Sequence, residues 1–366
     1  MADTRIPVWL DCDPGHDDAF AILLACYHPR IRLLGISTVW GNASLSQTTP
    51  NALSILTAIS ASHSIPVHPG ASHALSRPPM HPPTDIHGAT GLDGTALLPP
   101  PATTPSPTPA IPAMAAALLA TPPGTAYLVA TGAFTNAALL FSTHPSLSTH
   151  LAGVSLMGGA VGSSFTPAVL GTVDGVPRAG NWTQWAEFNV LADPEAADQL
   201  FRNPDLAGKI TLVPLDLSHL VLGTEEVRKR ILAGGTKLRR MLVELLMFFA
   251  GTYSEVFGIT EGPPLHDPLA VAAVLGGGGE GGVEFYDTDP VTGERERFEV
   301  RVVTEGTYEE AKAGLTRTGQ TVVRRLGVGE EGVRIPRGVD VEGFWRVMGE
   351  CIGRADEANR VAGNMQ

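Results

Sequence analysis

The chain has 366 residues, of which 43% are hydrophobic and 17% charged, with 41 Gly, 30 Pro and a formal net charge of −12. That apolar content excludes a wholly disordered chain, and 25 Lys+Arg against 37 Asp+Glu disfavours a nucleic-acid-binding surface. No apolar run approaches the roughly 20 residues of a membrane span, the first residues lack the basic and apolar regions of a secretory signal, and the three cysteines (Cys12, Cys26, Cys351) suggest no disulfide framework. The expectation is a soluble, acidic, cytoplasmic protein that makes no contact with nucleic acid or membrane. Residues 1–200 hold no lysine and only five arginines (Arg5, Arg30, Arg32, Arg77, Arg178). Phosphates are usually gripped by Lys, Arg or a Gly-rich cradle. A site in this half should therefore take a neutral ligand, a cation, or both.

In chain order, residues 6–10 (IPVWL) read as a buried strand, 17–27 as a helix packed on a sheet, and 31–39 (IRLLGISTV) as a second strand. Residues 51–59 look helical and 66–70 look like a short strand. Then follow a helix at 111–119, a strand at 126–131, a helix at 135–141 and a strand at 154–157. The helix at 194–201 has Asp193 as N-cap and Pro194 at its first position. A strand at 210–217 comes next, then 283–285 and 298–303 as strands of a charged hairpin, and a closing helix at 341–348. Alternating strands and helices imply a single α/β domain over 1–366, with a mainly parallel, doubly wound (Rossmann-like) sheet. Three stretches interrupt it. Residues 99–112 carry seven prolines and no charge and read as an extended or mobile loop. Residues 163–180 read as a second insertion, and 276–304 as a Gly-rich connector leading into the hairpin.

In doubly wound sheets the ligand crevice lies at the carboxyl ends of the strands. Asp11–Asp13, Trp40–Asn42, Thr131–Gly132, Gly158–Gly159 and Leu217–His219 fall at or just after such ends. The densest of these segments is Asp11-Cys12-Asp13-Pro14-Gly15-His16-Asp17-Asp18, four carboxylates within eight residues where a strand meets a helix. They would repel one another unless a cation neutralised them. Hard oxygen ligands suit Ca²⁺ or Mg²⁺, and no Cys/His spacing favours zinc. One such Asp alone reads best as a helix cap; four together do not.

This DxDPGxDD segment resembles the amino-terminal fingerprint of the inosine–uridine-preferring nucleoside hydrolase family. The resemblance continues through Trp40-Gly41-Asn42, Ala130-Thr131-Gly132-Ala133-Phe134-Thr135-Asn136, and Met157-Gly158-Gly159. It then takes in Asn181, Ala186-Glu187-Phe188-Asn189, Asp193-Pro194-Glu195-Ala196-Ala197 and Leu265-His266-Asp267-Pro268-Leu269-Ala270. The matches run in order from about residue 6 to 275. Ala133 replaces the family's usual proline, and the gap between Gly159 and Asn181 is unusually long.

The resemblance implies hydrolysis of the N-glycosidic bond of ribonucleosides by single displacement, through an oxocarbenium-like transition state. It implies that Asp13, Asp18, Asp267 and the Thr131 carbonyl hold Ca²⁺, with Asp13 as general base. Asp17, Asn42, Asn181, Glu187 and Asn189 would bind ribose, and His266 would protonate the departing base or stabilise its developing negative charge. His87 resembles a base-contacting histidine. Tyr253 and Phe257 line the base pocket or form a core stripe with equal weight, and His16 and Cys12 read as structural. The resemblance also implies a homodimer or homotetramer. The purine or pyrimidine preference stays open, although a histidine before Asp267 leans to the broader inosine–uridine type. Two rivals remain: a catalytically silent nucleoside-binding protein, and an aspartate-nucleophile phosphatase with Asp11 as nucleophile. The second is disfavoured by Gly15 and by the missing lysine.

Overall fold

Continuous apolar runs, not alternating ones, make the strands of this chain, and runs of that kind are buried on both faces. In the computed structural model, which describes residues 3–365 apart from 79, 81–83, 163, 174, 278, 279 and 290, strand β1 (Ile6–Cys12) is buried along almost its whole length. Val8, Leu10 and Cys12 face one half of the core and Trp9 the other. Around it stand β2 (Ile31–Thr38), β3 (Val67–Pro69), β4 (Tyr127–Ala130) and β5 (Gly153–Met157). After a small antiparallel ribbon of β6 (Thr172–Val173) and β7 (Val176–Pro177), β8 (Ile210–Val213) closes the sheet. The order is β3-β2-β1-β4-β5-β8, and every pairing is parallel. The chain therefore walks outward from β1 to β3 and returns to place β4 against the other side of β1. That reversal is the switch point at which doubly wound sheets open a crevice.

The fold class is as the sequence implies, with differences in detail. The helix expected from 51 starts at Leu45 and runs through Pro50 to Ala58, because a buried face including Thr48, Thr49, Leu53 and Leu56 carries it past one missing N–H. The helix expected from 111 starts at Ala110, so the proline-rich stretch ends earlier, with Ser106 N–H and the Thr108 carbonyl bonded to β3. The strand expected over 210–217 ends at Val213. Pro214 cannot donate to a ladder, and Leu215–Ser218 turns into a short helix.

The charged hairpin is not paired as expected. Thr288 and Arg295 do meet in an antiparallel bridge, but Phe285–Tyr286 pairs with Gly338–Val339, and Phe298–Val302 with Thr321–Arg325. The closing helix runs from Val341 to Ala362, because Cys351, Ile352, Ala355 and Asn359 extend its buried stripe past Gly349 and Gly353. Ser163 and Asp174 of the second insertion, and Gly278, Gly279 and Pro290 of the third, lie outside the described residues. Among the described residues no helix is long and apolar enough to cross a membrane.

Candidate active site

β1 ends at Cys12, and Asp13-Pro14-Gly15 turns the chain into the helix Asp18–Tyr27. Asp13 is fully buried. Its Oδ2 accepts the Asn42 N–H at 2.7 Å, and its Oδ1 has no partner. Gly41 and Gly132 flank this carboxylate so closely that a Cβ at Gly132 would stand 2.6 Å from Oδ1 and one at Gly41 would collide with Oδ2. Asp18 Oδ2 accepts the Gly15 N–H at 2.9 Å, and its Oδ1 accepts the Thr131 hydroxyl at 3.0 Å. From 250 residues further on, the helix Asp267–Ala272 points its start at the same place. Asp17 Oδ2 accepts the N–H groups of His266 and Asp267 at 3.3 Å each. Oxygens of Asp17, Asp18 and Asp267 all lie within 4.8 Å of one another. Asp17, expected to bind ribose, thus shares the carboxylate cluster.

Burial, reinforced by neighbouring carboxylates, pushes the Asp13 and Asp267 carboxyls well above the usual range and lifts Asp18 to about 7. Asp17 is raised by burial despite its N–H donors. Asp17, Asp18 and Asp267 form an all-oxygen seat that fits a hard divalent cation; Asp13, expected among the ligands, is not one of this converging group but lies close enough to repel Asp18 and keeps an orphaned oxygen. The cluster can hold a metal ion. The Thr131 carbonyl adjoins it and accepts one hydrogen bond, from Asn189 Nδ2 at 2.8 Å.

The facing wall comes from the segment after β5. Glu187 caps the helix Phe188–Ala192 and accepts three N–H groups, those of Gly159, Asn189 and Val190, at 2.8–3.0 Å. Burial still lifts its carboxyl to about 7. Asn189 gives its amide protons to the Thr131 and Met157 carbonyls, which leaves its side-chain oxygen unspent. Asn181 accepts the Phe188 N–H at 2.9 Å through its side-chain oxygen. The long gap before Asn181 does not displace it, since Arg178 donates to its backbone carbonyl at 3.1 Å.

Histidines and rings make the third side. Burial pulls His266 down to about 3, so its imidazole is neutral near pH 7. Its Nδ1 meets the Ser218 hydroxyl and its Nε2 the Tyr253 hydroxyl, both at 2.7 Å. His87 Nδ1 faces His16 Nδ1 at 3.0 Å, and His16 Nε2 faces the Asp93 carbonyl at 2.7 Å. A carbonyl only accepts, so His16 carries its proton on Nε2 and His87 donates to it. His16, read as structural, in this way orients a cleft residue.

These walls enclose a cleft with room for about 60 Å³ of water-sized occupancy. Asp17, Asn42, His87, Thr131, Asn181, Glu187, Asn189, Tyr253, His266 and Asp267 line it, with Asp13 and Asp18 buried beneath. Phe257 lies behind Tyr253, stacked on it at 4.9 Å, and does not line the cleft. Sequence reasoning missed Ile86, Met157, Trp182, Phe188 and Phe249 in the lining. Phe249 could have been found, as it stands one helical turn before Tyr253.

The profile of the family described as inosine-uridine preferring nucleoside hydrolase matches residues 8–346. The chain belongs to this family. This nucleoside hydrolase is 38% identical to the uridine nucleosidase of Saccharomyces cerevisiae over 99% of its own length and 100% of that protein. It is 40% identical to a pyrimidine-specific ribonucleoside hydrolase of Photobacterium profundum over 74% of its own length and 79% of that protein. Among solved structures it resembles a purine-preferring ribonucleoside hydrolase from Gardnerella vaginalis, with a TM-score of 0.76, 26% identity and coverage of 96% and 99% of the two chains. The protein is thus an enzyme of the ribonucleoside hydrolase class.

Proposed function

We propose that this enzyme is a Ca²⁺-dependent hydrolase of pyrimidine ribonucleosides, releasing free base and ribose. The carrying observation is the convergence of Asp17, Asp18 and Asp267 oxygens, with Asp13 buried close by, at a cleft with an amide-rich wall and a histidine–tyrosine pair. The pyrimidine preference is supported by the names of the yeast and Photobacterium relatives.

Asp13, Asp18, Asp267 and the Thr131 carbonyl would hold the ion, with Asp17 beside them. A bound Ca²⁺ would supply Lewis-acid polarisation of water and ribose hydroxyls at an all-oxygen seat. Asp13 acts as general base through Oδ1, its oxygen without a partner, while the Asn42 N–H holds Oδ2. Asn42, Asn181, Glu187, Asn189 and Asp17 orient the ribose, and hydrogen bonds to several hydroxyls select against deoxyribose. His266, protonated once substrate is bound, would pass the Nε2 proton through the Tyr253 hydroxyl to the departing base and be left as neutral imidazole, with His87 touching that base from the other side. Ser218 at Nδ1 keeps the His266 ring aligned.

Assembly as a homodimer or homotetramer and a cytoplasmic location belong to the same reading. The test is a panel of purine and pyrimidine ribonucleosides assayed for reducing sugar, with and without chelator. Uridine should release ribose, with loss of activity in chelator and recovery on adding Ca²⁺. Turnover of inosine but not uridine would overturn the base assignment, and full activity in chelator would overturn the metal.

A further inference from the structure

Arg178 is one of only five arginines in the first 200 residues, and none of the roles above uses its charge. It is 8% exposed, and no acidic side chain pairs with it among the described residues. A buried guanidinium without a carboxylate is costly unless something else compensates it. Here two carbonyls and a ring do so. Nε donates to Gly180 at 2.8 Å, Nη2 donates to Asn181 at 3.1 Å, and the guanidinium lies over the Phe257 ring, 4.6 Å from its centroid. Phe257 stacks on Tyr253, whose hydroxyl meets His266. The cation therefore stands two rings behind His266 on one wall of the cleft, while the carboxylate cluster carries the negative charge.

That polarity matches the bond being broken. As an N-glycosidic bond cleaves, the ribosyl group becomes cationic and the base anionic. Fixed charges in a water-poor site act on such a separation far more strongly than they would in water. We propose that Arg178 is an electrostatic support for the departing base, acting through the Phe257–Tyr253 wall without touching the substrate. The inference rests on the hydrolase reading above and adds to it a residue from the 163–180 insertion.

The experiment compares R178K and R178Q with the wild type on uridine and on a nitrophenyl riboside, whose leaving group departs as a stable anion. Lysine keeps the charge and loses the paired carbonyl bonds; glutamine keeps an amide donor and loses the charge. R178Q should lose about tenfold or more in kcat/KM on uridine and less than about threefold on the nitrophenyl riboside, with R178K recovering most of the loss. Unchanged uridine turnover by R178Q overturns the proposal. So does an equal loss by both variants on both substrates, or failure of both to fold, since either marks Arg178 as an anchor of the loop. A wild type inert on every ribonucleoside would sink the hydrolase reading instead, and is recognised before any variant is made.

Discussion

Asp13 has one oxygen bonded to a backbone N–H and one bonded to nothing, between Gly41 and Gly132, where any side chain would crowd the carboxylate. An asparagine there keeps an oxygen for the Asn42 N–H and the same volume, but cannot take a proton. D13N should reduce kcat by about 10³-fold or more while a ribose-like inhibitor still binds by calorimetry. Near-wild-type turnover would remove Asp13 from the base role. Tyr253 has a sharper signature. Its hydroxyl is the group bonded to His266 Nε2, so Y253F should lose about 10²-fold in kcat/KM on uridine and much less on a nitrophenyl riboside, which needs no proton. Equal losses on both substrates would make Tyr253 a packing residue. These carboxylates were legible in the sequence because acids at that density have few structural uses. Ser218, His16 and Arg178 were not, because each acts on a residue distant in the chain and carries no local pattern of its own.

At the scale of elements, the helix Pro194–Phe201 shows how a short motif spans more than its own helix. Asp193 caps it through the Ala196 N–H at 3.1 Å, and the same carboxylate accepts the Leu75 N–H at 2.8 Å and the Thr135 hydroxyl at 2.7 Å. It therefore ties three segments together away from the reacting atoms. D193A should lower unfolding free energy by about 2–4 kcal/mol, read by denaturant titration, and leave kcat within about twofold. A loss below about 1 kcal/mol would mean that water replaces the carboxylate. This helix was readable to its bounds because cap, proline and apolar spacing agree. The helices from Leu45 and Val341 were cut short on paper by Pro50 and by Gly349 and Gly353, local breakers that tertiary packing overrides. The pairing of Phe298–Val302 with Thr321–Arg325 was invisible, since register between distant strands is set by contacts and not by either segment's composition.

For the molecule as a whole, the sheet concentrates negative charge at one buried point, and that has a thermodynamic consequence before any substrate binds. Burial raises Asp11, Asp18 and Glu187 to about 7, and Asp13 and Asp267 well above the usual carboxylate range. Without a cation the folded state therefore holds protons that the unfolded chain has already released near pH 4. Stability from these groups is complete below the unfolded values and is lost as pH rises through about 7. Buried histidines act in the opposite sense. His219 and His266, drawn down to about 3, withdraw stability only as pH falls below their ordinary value of 6.5. Between pH 6.5 and 8.5 the acids should dominate. In chelator, the melting temperature should rise as pH is lowered across that interval, each acid near 7 contributing up to about 1.4 kcal/mol per pH unit. Saturating Ca²⁺ should flatten the slope and raise stability most at pH 8.5, because the ion binds the ionised cluster and leaves less to be gained by protonation. A slope of opposite sign in chelator would mean that the carboxylates are already neutralised by some other arrangement, and that the cluster is not held open for a cation.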